Sequence, residues 1–154
     1  MAERFAAEAA ASAGGHVTYV ATVQLDPDDH DLAERIRVHR SRRPPEWTTI
    51  EPETGHDLTD VVRDTPGTLL LDSLGPAVAT HTDLNAPDLC LALTHRDGDT
   101  VVVSEEVGLS VHPETETGRL FRDDLGTLNQ AVAAVADEVL LVVAGRTLRL
   151  DAPS

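Results

Sequence analysis

Four short apolar runs constrain this chain more than any other feature. They fall at residues 16–22, with Val17, Tyr19 and Val20; at 68–72, with Leu69, Leu70 and Leu71; at 101–103, three valines; and at 138–144. Each is strand-length and nearly unbroken rather than alternating, which predicts strands buried on both faces. Helix-like stretches separate them, and strands alternating with helices predict an α/β domain with a mostly parallel sheet flanked by helices. Residues 1–154 are expected to form a single domain, long enough to enclose a core. Aromatic residues make up only 3% of the chain, so that core must be built from Val, Leu and Ala.

The least generic stretch is 101–145. Val101-Val102-Val103 breaks into Ser104-Glu105-Glu106-Val107-Gly108, a long helix follows, and the run at 138–144 is closed by Gly145. This order predicts a βαβ unit, and polar groups just past a strand's carboxyl end are where ligands bind in such units. Upstream, the Ala- and Glu-rich residues 2–11 predict a helix ended by Gly14 and Gly15. Asp26-Pro27-Asp28-Asp29 predicts another helix start, with acidic residues where the dipole favours them. That helix carries Leu32, Ile36 and His39, and Arg42-Arg43-Pro44-Pro45 stops it. Residues 47–50 are ambiguous, 56–63 read as a brief helix, and 74–96 is weakly patterned, with a helix expected at 88–93. Residues 96–99 read as a turn, and 146–150 as a last edge strand.

A net charge of −15 with no long basic run argues against nucleic acid and anionic membrane as partners. The single Cys90 rules out an intrachain disulfide and a thiolate metal cluster. No run approaches a membrane span and the N-terminus lacks the basic region of a signal peptide, so a cytoplasmic protein without membrane insertion is expected.

Taken by themselves, three polar positions have ordinary explanations. His39 on an exposed helix reads as a solvated histidine, Thr22 as part of a β-to-α turn, and Asp72 as a residue ending a strand. A longer pattern surrounds them. Glu106-Val107-Gly108, Pro113, Arg119-x-Phe121-Arg122-Asp123-x-x-Gly126-x-x-Asn129-Gln130, Ala136-Asp137-Glu138-Val139 and Ala144-Gly145 together resemble the C-terminal half of the bifunctional adenosylcobinamide kinase/adenosylcobinamide-phosphate guanylyltransferase family of cobalamin assembly. Arg35-Ile36-x-x-His39, followed by Arg43-Pro44-x-x-Trp47, resembles the family segment whose histidine takes GMP from GTP, and Ala21-Thr22-x-Gln24 is likewise similar.

The resemblance implies a P-loop NTPase-like sheet. It implies His39 as a nucleophile that forms a phosphoramidate at the α-phosphorus of GTP, with arginines steadying the charge on the transferring group; Arg35, Arg40 and Arg43 are the candidates. It further implies nucleotide contacts by Thr22, Gln24, Arg35, Arg43 and Asp72, a Mg²⁺ role for Asp72, adenosylcobinamide, GTP and ATP as ligands, and a homo-oligomer. Arg119, Arg122, Asp123 and Asn129 form a further group on the long helix, in which Arg119 and Arg122, at i and i+3, could make one anion-facing edge, or Arg122 and Asp123 a helix salt-bridge network. Ser73, Gly75 and Ala77 stand where the family has Cys, Thr and Trp, and Glu105 replaces an Asn with an anion that would repel a phosphate unless a metal intervened.

The family's first strand and its G-x-x-x-x-G-K-[ST] phosphate loop have no counterpart in these 154 residues; the chain resembles the family from just after that loop, and all 12 of its basic residues are arginine. Either translation is assigned to begin inside the first helix, or the chain is a paralogue without kinase chemistry. Because the first strand lies inside the sheet of P-loop folds, its loss leaves strand edges unpaired. A version extended upstream is therefore expected to withstand more urea, and equal midpoints would contradict this.

Overall fold

A computed structural model of the protein describes residues 1–13, 15–24, 29–109 and 112–152. Gly14, Asp26, Pro27 and Asp28, read above as helix signals, lie outside the described residues. The elements in order are α1 (Ala2–Ala13), β1 (Val17–Ala21), α2 (His30–Arg42), β2 (Thr48–Ile50), α3 (Gly55–Asp64), β3 (Thr68–Asp72), α4 (Leu74–Thr80), α5 (Ala86–His95), β4 (Thr100–Val103), α6 (Glu116–Val135), β5 (Val139–Val143) and β6 (Arg146–Leu150).

The first four strands form one parallel sheet in the order β2-β1-β3-β4. The chain runs from β1 out to the edge at β2, then crosses back over β1 to β3. The direction of winding therefore reverses between β1 and β3, the kind of switch point that opens a crevice at the strands' carboxyl ends. Ala21 pairs with Asp72 and Asp72 with Val103, so those ends are level across three strands.

Period-2 alternation divides β1 and β3 between two layers. Val17, Tyr19 and Leu70 pack against Ala6 and Ala10 of α1. On the opposite face Val20, Leu69 and Leu71 join Leu58 and Val62 of α3, Leu89 of α5 and Leu125 and Leu128 of α6. Leu58, Leu69, Leu70, Leu71, Leu89 and Leu125 have no exposed surface, and each contributes on the order of 1.5–3 kcal/mol relative to an exposed position.

The sequence-based expectation of a βαβ unit over 101–145 is not met. β5 does not enter the four-stranded sheet but pairs antiparallel with β6. Burial on both faces also fails at two of the four runs: β4 is half-buried, and Val142 and Val143 of β5 are exposed. The reason is local. Ala144 and Gly145 have φ of 50° and 72°, the left-handed pair that closes a two-residue hairpin, and closing so short a loop costs far less chain entropy than reaching a distant strand. Helix α4 was not foreseen either, because Gly75-Pro76 reads as a turn; both residues occupy its first turn, where proline's missing N–H has no partner to lose.

The turn expected at 96–99 carries a buried cation. Arg96 is 8% exposed. Its Nε donates to Val62 O, Nη2 to Thr65 O and Gly67 O, and Nη1 to Gly98 O, Asp99 O and Thr100 Oγ1, all within 3.1 Å. One guanidinium thus ties the end of α3 to the starts of β3 and β4. Gly98, at φ 119°, lets the turn close here, and a side chain there would run into the backbone of Gly67. Burial lowers the arginine's pKa, against the opposing fields of Asp99 and Asp97. Replacing Arg96 with Met should leave buried carbonyls without donors and cost roughly 3 kcal/mol or more, read as a lower urea midpoint, while Arg96→Lys should recover only part because an ammonium lacks the planar fork.

Candidate functional site

The level carboxyl ends of β1, β3 and β4 carry a connected set of polar groups. Thr22 follows β1 and its hydroxyl bridges the switch point, donating to Ser73 O at 2.5 Å and accepting from Ser73 N at 3.0 Å. Only 1% of Thr22 is exposed, so its oxygen is spent on holding the loop after β3. Asp72 and Ser73 are joined by a cis peptide.

Glu105, beyond β4, turns its carboxylate into the same loop. Oε1 accepts from Ser73 Oγ at 2.7 Å and Oε2 from Gly75 N at 2.9 Å, and a Cβ at position 75 would displace that carboxylate. Asn129 of α6 fixes the strand end by donating to Glu105 O at 3.0 Å, and its Oδ1 accepts from Ser104 Oγ at 2.6 Å. The substituted anion is thus engaged by a hydroxyl and an amide.

On the α1 side of the sheet, Tyr19 donates its hydroxyl to Asp72 Oδ2, while Oδ1 accepts no hydrogen bond from the described residues. The Arg43 guanidinium lies over the Tyr19 ring, 3.3 Å from its centroid. Arg43 caps the end of α2, so this contact brings the histidine helix to the carboxylate of β3.

Helix α2 begins where Asp29 accepts from Leu32 N at 2.8 Å. Leu32, Ile36 and Val38 are half-buried, while Arg35 and His39 are exposed and their side chains form no hydrogen bond or ion pair among the described residues. Spacing of i, i+4, i+8 sets Arg35, His39 and Arg43 along one side of the helix, about 6 Å apart per step. Gln24 donates to Glu53 O at 3.2 Å. The structure therefore brings Arg43 and Asp72 together through Tyr19, places His39 and Arg35 one and two turns up α2, and ties Thr22 and Gln24 to backbone.

On α6 the alternatives resolve toward structure. Arg119 donates to the carbonyls of Pro113 and Glu114, and Arg122 pairs with Asp123 at 2.7 Å and meets His112 Nδ1 at 2.8 Å.

The profile of the family described as cobinamide kinase / cobinamide phosphate guanyltransferase matches residues 3–150. The chain belongs to this family. The bifunctional adenosylcobalamin biosynthesis protein CobU of Escherichia coli (strain K12) is 33% identical over 161 residues, covering 90% of this chain and 88% of that protein. CobU of Salmonella typhimurium is 34% identical over the same shares. The bifunctional adenosylcobalamin biosynthesis protein CobP of Pseudomonas aeruginosa is 33% identical over 159 residues, 97% of this chain and 88% of that protein. Such coverage makes the four-stranded parallel sheet of this chain a cobinamide kinase / cobinamide phosphate guanyltransferase fold, in agreement with the α/β, P-loop NTPase-like expectation.

Sequence reasoning missed Tyr19, which read only as an apolar strand residue. The signal was faint: it is the sole tyrosine in the chain, two residues before the Ala21-Thr22 pair. Its phenol is raised well above the usual value of about 10, first by burial, then by its hydrogen bond to Asp72 and that carboxylate's charge, with Arg43 opposing. The folded pKa lies above the unfolded one, so this contribution to stability is complete below about pH 10 and is lost as pH rises from there through the folded value. With one tyrosine, phenolate absorbance reports this group alone: it should stay flat through pH 10 in the native chain, and Asp72→Asn should move the titration to lower pH.

Proposed function

We propose that this chain is a nucleotide-dependent transferase of cobalamin biosynthesis that phosphorylates adenosylcobinamide and transfers GMP from GTP to adenosylcobinamide phosphate through His39. The observation that carries the reading is the continuity from His39 along α2 to Arg43, onto the Tyr19 ring and into Asp72. A nucleophile for the α-phosphorus and a carboxylate of the kind that handles phosphate-bound cations thereby belong to one site, at the switch point where α/β sheets take ligands.

In the guanylyl step, the lone pair of a neutral His39 imidazole nitrogen attacks the α-phosphorus. The bond from that phosphorus to the bridging oxygen breaks, and pyrophosphate leaves with the electron pair. A phosphate oxygen of adenosylcobinamide phosphate then attacks the phosphoramidate, freeing His39 and giving adenosylcobinamide-GDP. Splitting the transfer makes each displacement easier. Arg43 and Arg35 contribute positive charge beside the transferring group, and Thr22 and Gln24 act through the loops they tie. The kinase step moves a phosphoryl group from ATP to the aminopropanol hydroxyl.

Mg²⁺ takes one or two carboxylates together with phosphate oxygens and retained waters rather than an all-protein cage. The site suits that demand: Oδ1 of Asp72 is uncommitted, and the described residues include no group of three or more metal-ligating side chains. Asp72 would hold the ion, whose chemistry is to neutralise phosphate charge. No helix among the described residues is long and apolar enough to cross a membrane, and we read the protein as a single-domain cytoplasmic homo-oligomer.

A second reading, a nucleotide- or corrinoid-binding paralogue without kinase activity, is favoured by Glu105, whose anion is packed against the loop after β3. One experiment addresses the main reading directly. With Mg²⁺ and GTP labelled at the α-phosphate, the parent chain should acquire acid-labile label and His39→Ala none. Label on both would remove His39 from the mechanism. Label on neither, together with a cobinamide spectral shift, would support the binding paralogue.

A further inference from the structure

Beside β2 lies a cavity of about 500 Å³ whose lining includes Arg40, Arg43, Trp47, Thr49 and Glu51, a size that accommodates small ligands. Its two arginines are held differently. Arg40 is neutralised by an ion pair with Glu51. Arg43 has no carboxylate ion pair among the described residues: Nη1 reaches Thr49 Oγ1 only at 3.4 Å, and Nε is buried without an acceptor. A half-buried guanidinium with one N–H out of water and unpaired is a standing site for an anion that can accept several hydrogen bonds at once.

What keeps Arg43 in that posture is Tyr19. The ring is 3% exposed, packed in the layer that holds Ala6, Ala10, Val17 and Leu70, and its hydroxyl is anchored on Asp72. It cannot swing away, and its face carries the guanidinium by cation–π attraction. We propose that this cavity binds the phosphate groups of the nucleoside triphosphate, and that Tyr19 is the positioning residue that sets it by holding Arg43 flat on its ring. This rests on the nucleotide-dependent reading above and deepens it. With Arg40 matched against Glu51, the surplus charge of the lining is that of Arg43, so the subsite works only while the ring keeps that cation in place. The same phenol bonds Asp72, which couples the phosphate subsite to the carboxylate at the end of β3.

Trp47, the only tryptophan in the chain, lines the cavity, and its emission is a direct reporter. Inorganic triphosphate and GTP should each change it saturably. Tyr19→Leu, which keeps bulk but removes ring face and hydroxyl, should weaken triphosphate binding about tenfold, as should Arg43→Met. The double variant should bind no more weakly than Arg43→Met alone, because Tyr19 acts through Arg43. Tyr19→Phe, which keeps the ring without the anchor, should fall between parent and Tyr19→Leu, and it supplies the same cycle if the leucine variant does not fold. Additive losses in the cycle, unchanged binding in a folded Tyr19 variant, or no binding by the parent would each overturn the proposal. Label on His39 with an additive cycle would sink the subsite and spare guanylyl transfer. Triphosphate binding with a non-additive cycle but no label would do the reverse.

Discussion

β3 can exist only where two layers meet. Leu69, Leu70 and Leu71 are consecutive, so successive side chains must leave the strand in opposite directions, and all three are without exposed surface. Alanines of α1 cover one side and leucines of α3, α5 and α6 the other. With β3 sealed between them and β1 paired to it in register, Asp72 and Thr22 emerge level at the one place where the winding reverses. The polar cluster is thus a by-product of burying three leucines: the backbone that follows them has no sheet left to pair with and is satisfied by Thr22 and Glu105 instead.

Charge is managed by placement. A chain of net charge −15 repels anionic substrates at long range, and most exposed arginines are neutralised beside their own acids, as Arg37 is by Glu34 and Arg63 by Asp60 and Asp64. Pairs this exposed add little to stability. Arg96 and Arg43 stand outside that pattern for opposite reasons. Arg96 is buried and saturated with carbonyls, so it serves the fold. Arg43 is stacked on a ring and short of acceptors, so it is disposed toward a ligand. Nothing in the one-letter sequence separates these two roles.

The α/β class, the buried strands at Val17–Ala21 and Thr68–Asp72, and the histidine helix ending before Pro44 were all legible, because short apolar runs and proline act over a few residues. The family itself was legible from its motifs, and the family match over residues 3–150 bears that resemblance out. Less accessible were α4, whose glycine and proline mimic a turn, and the fate of β5, whose apolar run is the same whether it joins a sheet or folds back on β6.

By itself the sequence determined the periodicity, and hence which segments are strands and helices, and which polar residues end them. The tertiary structure alone decided which of those ends meet. Tyr19 and Asp72 are 53 residues apart, and Ser73 and Glu105 are separated by 32. Their contacts depend on strand order and register, which arise from the simultaneous burial of several distant segments and are carried by no local pattern.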